Sequence, residues 1–339
     1  MGQDQDGNNR MNNKVREPRL GIIVPCFNEE EVLNETCKEL TAIIETLIHK
    51  NKIRSDSFVL FVDDGSSDAT WQLIEHDAAT NRYVRGLKLS RNFGHQNALI
   101  AGMDTAAPAV DCCITIDADL QDDVRAIEPF IDQYHQGCDI VYGVRKSRKT
   151  DTFFKKNTAL AFYRLMNRMG VRLIPNHADY RLMSKRAMNE LANYREENLF
   201  LRGIVPLLGF RSAKVYYDRR PRLAGQSKYP LKKMIAFAID GITSFSIVPI
   251  KLVMSLGFLL VLIGIGIGIY AFVGWLLGHT ISGWTSLILS IWLVGGMQLV
   301  AIGVIGEYIG KIFKETKKRP RYTIERDTWA SRRETENHE

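Results

Sequence analysis

The stretch CCITIDADLQDD, residues 112–123, passes from a short apolar run directly into four aspartates. An apolar run of this length that ends in polar residues is typical of a buried strand. Carboxylates crowded at one strand end repel one another, so the cluster is either a solvated loop or the site of a cation. What the neighbouring strand ends carry decides between these two interpretations.

Residues 19–222 alternate between short strand-like runs and helical patterns. The runs are GIIVP (21–25), FVLFVDD (58–64), RGLKLS (85–90), CCITID (112–117) and DIVYGV (139–144). Helical patterns, such as those at 30–50 and 68–80, separate the first four runs. This alternation predicts a mostly parallel sheet covered by helices, in which ligands bind beyond the carboxyl ends of the strands.

Three of these runs end in unusual polar groups. PCFNEEE (25–31) closes the first run, DDGSSD (63–68) the second and DADLQDD (117–123) the fourth. If the strands are parallel, all three groups lie at one edge of the sheet. Their convergence predicts a ligand site there, since any one of them alone also occurs in ordinary loops.

Asp117 and Asp119 are the candidate metal ligands. They stand two residues apart, so they point the same way in an extended segment and can share one ion. Two carboxylates with few other protein ligands suit Mg²⁺ or Mn²⁺, which completes its shell with water and substrate phosphates. Asp122 and Asp123 have a simpler explanation, because carboxylates stabilise the start of a helix.

The turn after the second strand combines a glycine with capping residues. Gly65 allows the turn, and Ser67 and Asp68 can cap the following helix without any ligand. Capping does not explain Asp63, which closes the strand and can accept hydrogen bonds from a base or a ribose. No GxGxxG fingerprint or GxxxxGK[ST] loop follows a strand, which removes the main support for a dinucleotide fold or a P-loop.

Residues 252–306 contain no Asp, Glu, Lys or Arg. This length suits two membrane-spanning helices of roughly 20 to 25 residues, which we place at 252–277 and 285–309 with the loop GHTISGW between them. Basic residues collect on both flanks and the loop has none, so the positive-inside rule places both termini in the cytoplasm. Because the basic residues flank the apolar segment, they do not form the single basic stripe that is typical of a nucleic-acid-binding protein.

The rest of the chain divides around this hairpin. We expect residues 1–18 to form a disordered tail, 19–228 an α/β domain, and 229–250 an amphipathic helix in the membrane interface. The two spans occupy 251–310, and the charged residues 311–339 form a cytoplasmic tail.

Five motifs carry a resemblance to a known family. They are IIVPCFNEEE, FVDDGSSDAT, DADLQD, ADYRLMSKRA and RLAGQSKY, in this order, and two hydrophobic spans follow them. Together they resemble the family 2 glycosyltransferases of GT-A fold, and within these the group that transfers sugars to polyprenyl phosphates. The resemblance covers residues 19–321 and implies an α/β GT-A domain, an interface helix and a transmembrane hairpin.

The resemblance also implies roles for individual residues. Those implied to hold the nucleotide are Pro25, Phe27, Asn28, Glu29, Asp63, Asp117 and Gln121. Those implied to hold the metal at the donor's diphosphate are Asp117 and Asp119. Those implied to meet the acceptor phosphate are Arg145, Lys155, Lys156, Arg222 and Lys228. Arg222 and Lys228 also count as catalytic, because the donor diphosphate needs positive charge too, although attraction of anionic lipid is an open alternative for both.

Asp179 occupies the position that the resemblance assigns to a catalytic base. A phosphate monoester has its second pKa at about 6, so the acceptor is largely a dianion at neutral pH and needs little deprotonation. Asp179 is therefore a candidate base, a candidate for orienting the acceptor or the sugar hydroxyls, or one half of a structural pair with Arg181.

These residues together predict an inverting transferase. The resemblance implies that such an enzyme moves one sugar from UDP-glucose or UDP-N-acetylglucosamine to undecaprenyl phosphate at the cytoplasmic face of the cell membrane. The resemblance also implies a homo-oligomer, with a tetramer favoured. Two alternatives stay open: a processive polysaccharide synthase, against which the lack of a QxxRW motif counts, and an inactive scaffold that binds nucleotide sugars.

Overall fold

The computed structural model of the protein describes residues 17–146, 174, 177–196, 200–218, 248–277 and 283–330. The strands within these ranges are β1 (Leu20–Cys26), β2 (Phe58–Asp63), β3 (Val84–Leu89), β4 (Cys112–Thr115), β5 (Ile140–Arg145), β6 (His177–Ser184), β7 (Ser212–Tyr217) and β8 (Ile324–Asp327). The helices are α1 (Leu33–His49), α2 (Thr70–Thr80), α3 (His95–Ala106), α4 (Ile127–His135), α5 (Lys185–Leu191), α6 (Leu201–Leu207), α7 (Val248–Leu276) and α8 (Trp284–Lys317). A 3₁₀ turn, Val124–Ala126, precedes α4.

The eight strands form one sheet in the order β7-β5-β6-β4-β1-β2-β3-β8. β4, β1, β2 and β3 pair in parallel, and β5 pairs in parallel with β7. β6 and β8 run antiparallel to their neighbours. The predicted α/β fold with a mostly parallel sheet and flanking helices is confirmed, since all five predicted strands are present and the two quoted helical patterns form α1 and α2.

The sheet is apolar on both faces because helices cover both. In β1, Leu20, Ile22 and Val24 face the side that α1, α2 and α4 cover. Ile23 faces the other side, where it belongs to one apolar cluster with Phe58 of β2 and with residues of α3, α5 and α6. Every residue of β1 and β2 is buried, which explains the continuous apolar runs in the sequence.

β6 is a strand that apolar periodicity did not predict. It lies antiparallel between β4 and β5, with Arg181 opposite Thr115 on one side and Tyr142 on the other. The Arg181 side chain is only 2% exposed in the middle of this strand. A buried charge interrupts the apolar pattern by which strands are recognised. The strand thereby brings charged side chains into the interior beside β4.

Part of the segment predicted to be a charged tail packs against the sheet. β8 pairs with β3, and Trp329 is buried with its ring centroid 4.9 Å from that of Phe58. Thr328 Oγ1 accepts a hydrogen bond from the Gly86 N–H at 2.8 Å. The sequence IERD of β8 is mostly charged, so its pattern did not indicate a strand. Contacts with a distant edge strand decide its conformation.

α7 and α8 are the two apolar helices that the sequence predicted. Over Val248–Gly274 and Leu293–Lys317 they are long and apolar enough to cross a membrane. Large apolar side chains on both are exposed, as at Phe258 and Leu299. α8 continues beyond the predicted end at 309 to Lys317, and its last turn carries two lysines, which the negative end of the helix dipole favours.

Replacing Trp329 by alanine is expected to destabilise the α/β domain by about 3 kcal/mol, since a large buried ring is lost and a cavity remains. The matched control is Ile324→Ala, because Ile324 lies in β8 but is 42% exposed, so its loss costs about 0.5 kcal/mol. Differential scanning calorimetry of the full chain in detergent measures both losses. Equal effects of the two changes would contradict the docking of this segment.

Candidate functional site

Hydrogen bonds tie the ends of β1 and β2 together. Asn28 has a positive φ of 54°, and its Oδ1 accepts bonds from the Ser67 N–H at 2.9 Å and the Ser67 hydroxyl at 3.3 Å. The Asn28 N–H donates to Ser66 Oγ at 3.0 Å. Asparagine adopts this backbone conformation more readily than most residues. Asn28, predicted to bind the nucleotide, therefore sets the geometry of this turn.

The other residues predicted to hold the nucleoside lie around the same turn. Phe27 is 40% exposed, and the Glu29 N–H donates to Thr70 Oγ1 at 2.9 Å. Pro25 lies buried within β1, opposite Val62 of β2. Phe27 therefore offers an accessible aromatic ring, while Pro25 belongs to the strand itself.

Asp63 closes β2 and is fully buried. Its Oδ1 accepts a hydrogen bond from the Ser66 N–H at 3.1 Å, while Oδ2 has no partner within the described residues. Burial raises the pKa of Asp63, although hydrogen bonds from Ser66 and the charge of Lys88 oppose that rise. A buried carboxylate oxygen without a partner is costly, so Oδ2 suits a ligand that donates a hydrogen bond.

Asp64 holds the loop after β3 against this turn. Its carboxylate oxygens accept hydrogen bonds from the N–H groups of Phe93 and Gly94 at 2.7 and 2.9 Å. Gly65 has a φ of +71°, and a Cβ there would lie 2.4 Å from the carbonyl carbon of Arg91, so the turn requires glycine. The loop leads into α3, so Asp64 helps to set the position of the first residue of that helix.

Asp117 and Asp119 follow β4, and both are partly exposed. The Nε2 of His95, the first residue of α3, lies 3.5 Å from Asp117 Oδ1. Burial raises the pKa of Asp117; His95 opposes the rise, and the carboxylates of Asp122, Asp179 and Asp119 add to it. Negative charge is therefore concentrated at the end of β4, where a cation would relieve the repulsion.

The donor set at this point fits a hard divalent cation. Asp117 and Asp119 offer carboxylate oxygens, and the N–H of the buried Gln121 donates to Asp119 Oδ1 at 3.2 Å. Among the described residues, no group of three His, Cys, Asp or Glu side chains is arranged to hold a metal. Two carboxylates suffice for Mg²⁺ or Mn²⁺, since such ions take the remaining ligands from water and substrate phosphates.

The two acids that follow have different partners. Asp123 caps the 3₁₀ turn by accepting a hydrogen bond from the Arg125 N–H, as predicted. The prediction of capping is wrong for Asp122, which is buried and accepts hydrogen bonds from the Tyr217 hydroxyl at 2.6 Å and from Arg145 Nη2 at 3.1 Å. Asp122 faces β5 and β7 because a buried carboxylate is stabilised there by a cation and a hydroxyl.

Asp179 lies in β6 and binds two guanidinium groups. Arg202 Nη2 lies 2.9 Å from its Oδ2, and Arg181 Nη2 donates to its Oδ1. His95 Nε2 lies 3.9 Å from Oδ2. Burial alone would raise the pKa of Asp179, but Arg202 and Arg181 outweigh it and hold the pKa well below its usual range. A carboxylate with so low a pKa is a weak base.

Arg202 and His95 were not predicted to belong to the site. Arg202 stands 23 residues from Asp179, and His95 is the first residue of α3, which follows a different strand, so no local spacing reveals either contact. One sequence signal existed for His95: the polar stretch RNFGH follows the third predicted strand, as polar stretches follow the first, second and fourth.

Several predicted features lie outside the described residues. They are Lys155, Lys156, Arg222, Lys228, residues 1–16, most of the amphipathic helix at 229–250, and most of the loop between the apolar helices. Among the predicted acceptor residues, the structure describes Arg145, whose guanidinium pairs with Asp122. Its role toward an acceptor stays a prediction.

The chain has relatives along almost its whole length. Residues 21–192 match the glycosyl transferase family 2 domain. The uncharacterized glycosyltransferase YkoT of Bacillus subtilis is 58% identical over 316 residues, which cover 93% of this chain and 94% of the relative. The bactoprenol glucosyl transferase of Shigella phage SfV is 37% identical over 311 residues, which cover 91% of this chain and 99% of the relative.

Solved structures that resemble the chain are more distant in sequence. Glucosyl-3-phosphoglycerate synthase from Mycobacterium tuberculosis is 16% identical with a TM-score of 0.44, covering 67% of this chain and 79% of its own. The relatives in sequence carry the assignment, because the family domain includes all of the acids described above and the alignments cover more than 90% of the chain. The chain belongs to glycosyltransferase family 2.

Proposed function

We propose that this glycosyltransferase moves one sugar, with inversion, from a nucleotide donor to a polyprenyl phosphate at a membrane. The observation that carries the proposal is the order of groups along the carboxyl edge of the sheet: Asp63 on β2, the acid pair after β4, and Asp179 with Arg202 at β6. Such an edge can hold a nucleoside, a diphosphate and a second anion side by side. Relatives named bactoprenol glucosyl transferases, 36% and 37% identical, support a polyprenyl acceptor.

The donor's nucleoside would lie over the ends of β1 and β2. Phe27 offers a ring for stacking, and Asp63 Oδ2 can accept a hydrogen bond from a base or a ribose. Asn28 and Glu29 would hold the same turn through their backbone bonds. We infer UDP-glucose as the first donor to test, because the named relatives are glucosyl transferases, with UDP-N-acetylglucosamine as the second.

Asp117 and Asp119 would hold Mg²⁺ or Mn²⁺, with Gln121 beside them. When bound, the ion stabilises the negative charge that develops on the departing diphosphate. His95, beside Asp117, fixes one side of this pair.

The transfer requires no nucleophilic side chain. A phosphate oxygen of the acceptor attacks the anomeric carbon of the sugar, the bond from that carbon to the diphosphate oxygen breaks, and the nucleoside diphosphate leaves with the electron pair. Attack from the opposite side inverts the anomeric centre. The acceptor phosphate is mostly a dianion at neutral pH, so no proton has to move. Asp179, whose pKa is held low, then serves as a positioning residue and not as a general base.

The membrane segments serve the same reaction. A long polyprenyl tail keeps the acceptor's phosphate at the bilayer surface, so the carboxyl edge has to face lipid while α7 and α8 anchor the domain. Lysines near the end of α8 favour the cytoplasmic side. We therefore place the catalytic domain and both termini in the cytoplasm, with undecaprenyl phosphate as the acceptor. The family resemblance supports a homo-oligomer, with a tetramer favoured.

Purified full-length protein is expected to transfer one sugar from UDP-glucose to undecaprenyl phosphate when Mg²⁺ or Mn²⁺ is present. A panel that includes UDP-N-acetylglucosamine and GDP-mannose defines the donor, and mass spectrometry of the lipid fraction identifies the product. Products that grow by repeated addition would indicate a processive synthase. Bound UDP without any sugar-lipid from any donor would indicate an inactive scaffold and overturn the proposal.

Asp119→Ala is expected to slow the transfer by roughly 100-fold or more, because several kcal/mol of charge stabilisation depend on the metal ligand. Asp123→Ala is the matched control, since that carboxylate caps the 3₁₀ turn and pairs with Arg125, and its rate should stay within about threefold of wild type. Calorimetric titration with UDP, with and without Mn²⁺, supplies a second measurement. A metal-dependent UDP affinity that survives Asp119→Ala would exclude this acid as a ligand.

A further inference from the structure

The groups around Asp179 differ in how far they reach the surface. The Asp179 side chain is 12% exposed, whereas those of Arg202 and His95 are 39% and 42% exposed. Arg181, the other partner of Asp179, is buried. A substrate that enters this part of the site therefore meets Arg202 and His95 before it meets the carboxylate.

Arg202 is held in place from two directions. Its Nη2 and Nε lie 2.9 and 3.3 Å from Asp179 Oδ2. Arg202 lies at the start of α6, and two contacts of Leu201 fix this end of the helix. The Leu201 N–H donates to Gln96 Oε1 at 2.8 Å. The Leu201 carbonyl oxygen lies 3.4 Å from Arg181 Nη1. The guanidinium is thus preorganised before any ligand arrives.

The positive charge at this point comes from two guanidinium groups. Arg181 and Arg202 both pair with the carboxylate of Asp179, and guanidinium groups are strong partners for anions. His95 Nε2 lies within 4 Å of both neighbouring acids, 3.5 Å from Asp117 Oδ1 and 3.9 Å from Asp179 Oδ2. β6 lies on the side of β4 opposite β1 and β2, so an anion at Arg202 would stand across the acid pair from the nucleoside.

We propose that Arg202 binds the phosphate of the acceptor, and that Asp179 acts by holding Arg202 in position. The inference rests on the proposed function in one respect, that the acceptor is a phosphate. A guanidinium fork matches phosphate oxygens in geometry and charge. It holds the attacking oxygen at the site without taking part in bond making, which is consistent with a transfer in which no proton moves.

The first experiment measures binding without turnover. Full-length protein in detergent is titrated calorimetrically with farnesyl phosphate and with farnesol, which lacks the phosphate. Wild type is expected to bind farnesyl phosphate more tightly, and Arg202→Ala to lose roughly tenfold or more of that affinity while farnesol binding is unchanged. Arg202→Lys should recover part of the loss, because it keeps the charge but not the fork.

The matched control is Arg186→Ala. Arg186 is an exposed arginine that also pairs with an aspartate, Asp139, but that pair lies at the amino end of β5, away from the carboxyl edge. This variant should bind farnesyl phosphate like wild type. Calorimetric unfolding of every variant checks the fold, and Arg202→Met, which keeps much of the apolar stem, replaces the alanine variant if the latter unfolds.

A second titration separates the acceptor from the donor. UDP binding in the presence of Mn²⁺ is expected to be unchanged in Arg202→Ala. A loss of UDP affinity as large as the loss of farnesyl phosphate affinity would assign Arg202 to the donor's diphosphate and overturn the proposal.

Asp179→Asn tests the positioning role. It is expected to weaken farnesyl phosphate binding in the wild-type background and to change little in the Arg202→Ala background, because both residues act through one guanidinium. In turnover assays, Asp179→Asn should raise the KM for undecaprenyl phosphate. An equal fall of kcat in both backgrounds, with KM unchanged, would show that Asp179 acts on the reaction directly and not through Arg202.

The outcomes distinguish this inference from the proposed function. Binding of farnesyl phosphate through Arg202, without sugar-lipid from any donor, would remove the transferase proposal and leave the phosphate site standing. Equal affinity of wild type for farnesyl phosphate and farnesol, or an unchanged affinity in Arg202→Ala, would overturn the site itself.

Discussion

Repulsion among four carboxylates at the ends of β4 and β6 is the constraint to which the rest of the site responds. Buried or crowded carboxylates persist in proteins only when cations or hydrogen-bond donors compensate them. Asp122 is compensated by Arg145 and Tyr217, two residues of the strands on the far side of β6. Asp179 is compensated by two arginines.

Asp117 and Asp119 form the acid pair beside these compensated groups. His95 approaches one of them, and the pKa of Asp117 is still raised, by burial first and by the neighbouring acids. Negative charge is therefore concentrated at the end of β4. A divalent cation would compensate that charge, whereas an anionic substrate alone would add to it.

β6 positions both an acid and a buried arginine of the site. Its antiparallel insertion between β4 and β5 brings Asp179 beside the acid pair and buries Arg181 within the sheet. A buried arginine is tolerated because it bonds both to Asp179 and to the start of α6. The same bonds orient the helix that carries Arg202, so the strand, the helix and the site depend on one charged pair.

Features that depend on neighbouring residues were predictable from the sequence, and features that depend on distant contacts were not. The parallel strands and the acid pair after β4 were predictable, because apolar runs and the spacing of two aspartates are local patterns. β8 was not, since most of its residues are charged and its conformation depends on contacts with β3 and Phe58. The role of Asp122 was also misjudged, because capping is a local possibility while its true partners lie on distant strands.

By itself, the sequence determined which strand ends carry oxygen ligands and which segments are apolar enough to enter a membrane, because residue order alone sets these properties. Only the tertiary structure decided which cation compensates which acid. Arg145 and Asp122 stand 23 residues apart, as do Arg202 and Asp179, and neither spacing has meaning until the strand order is known. Pairing in a protein interior is set by the cost of leaving a buried charge alone, and burial is a property of the folded chain.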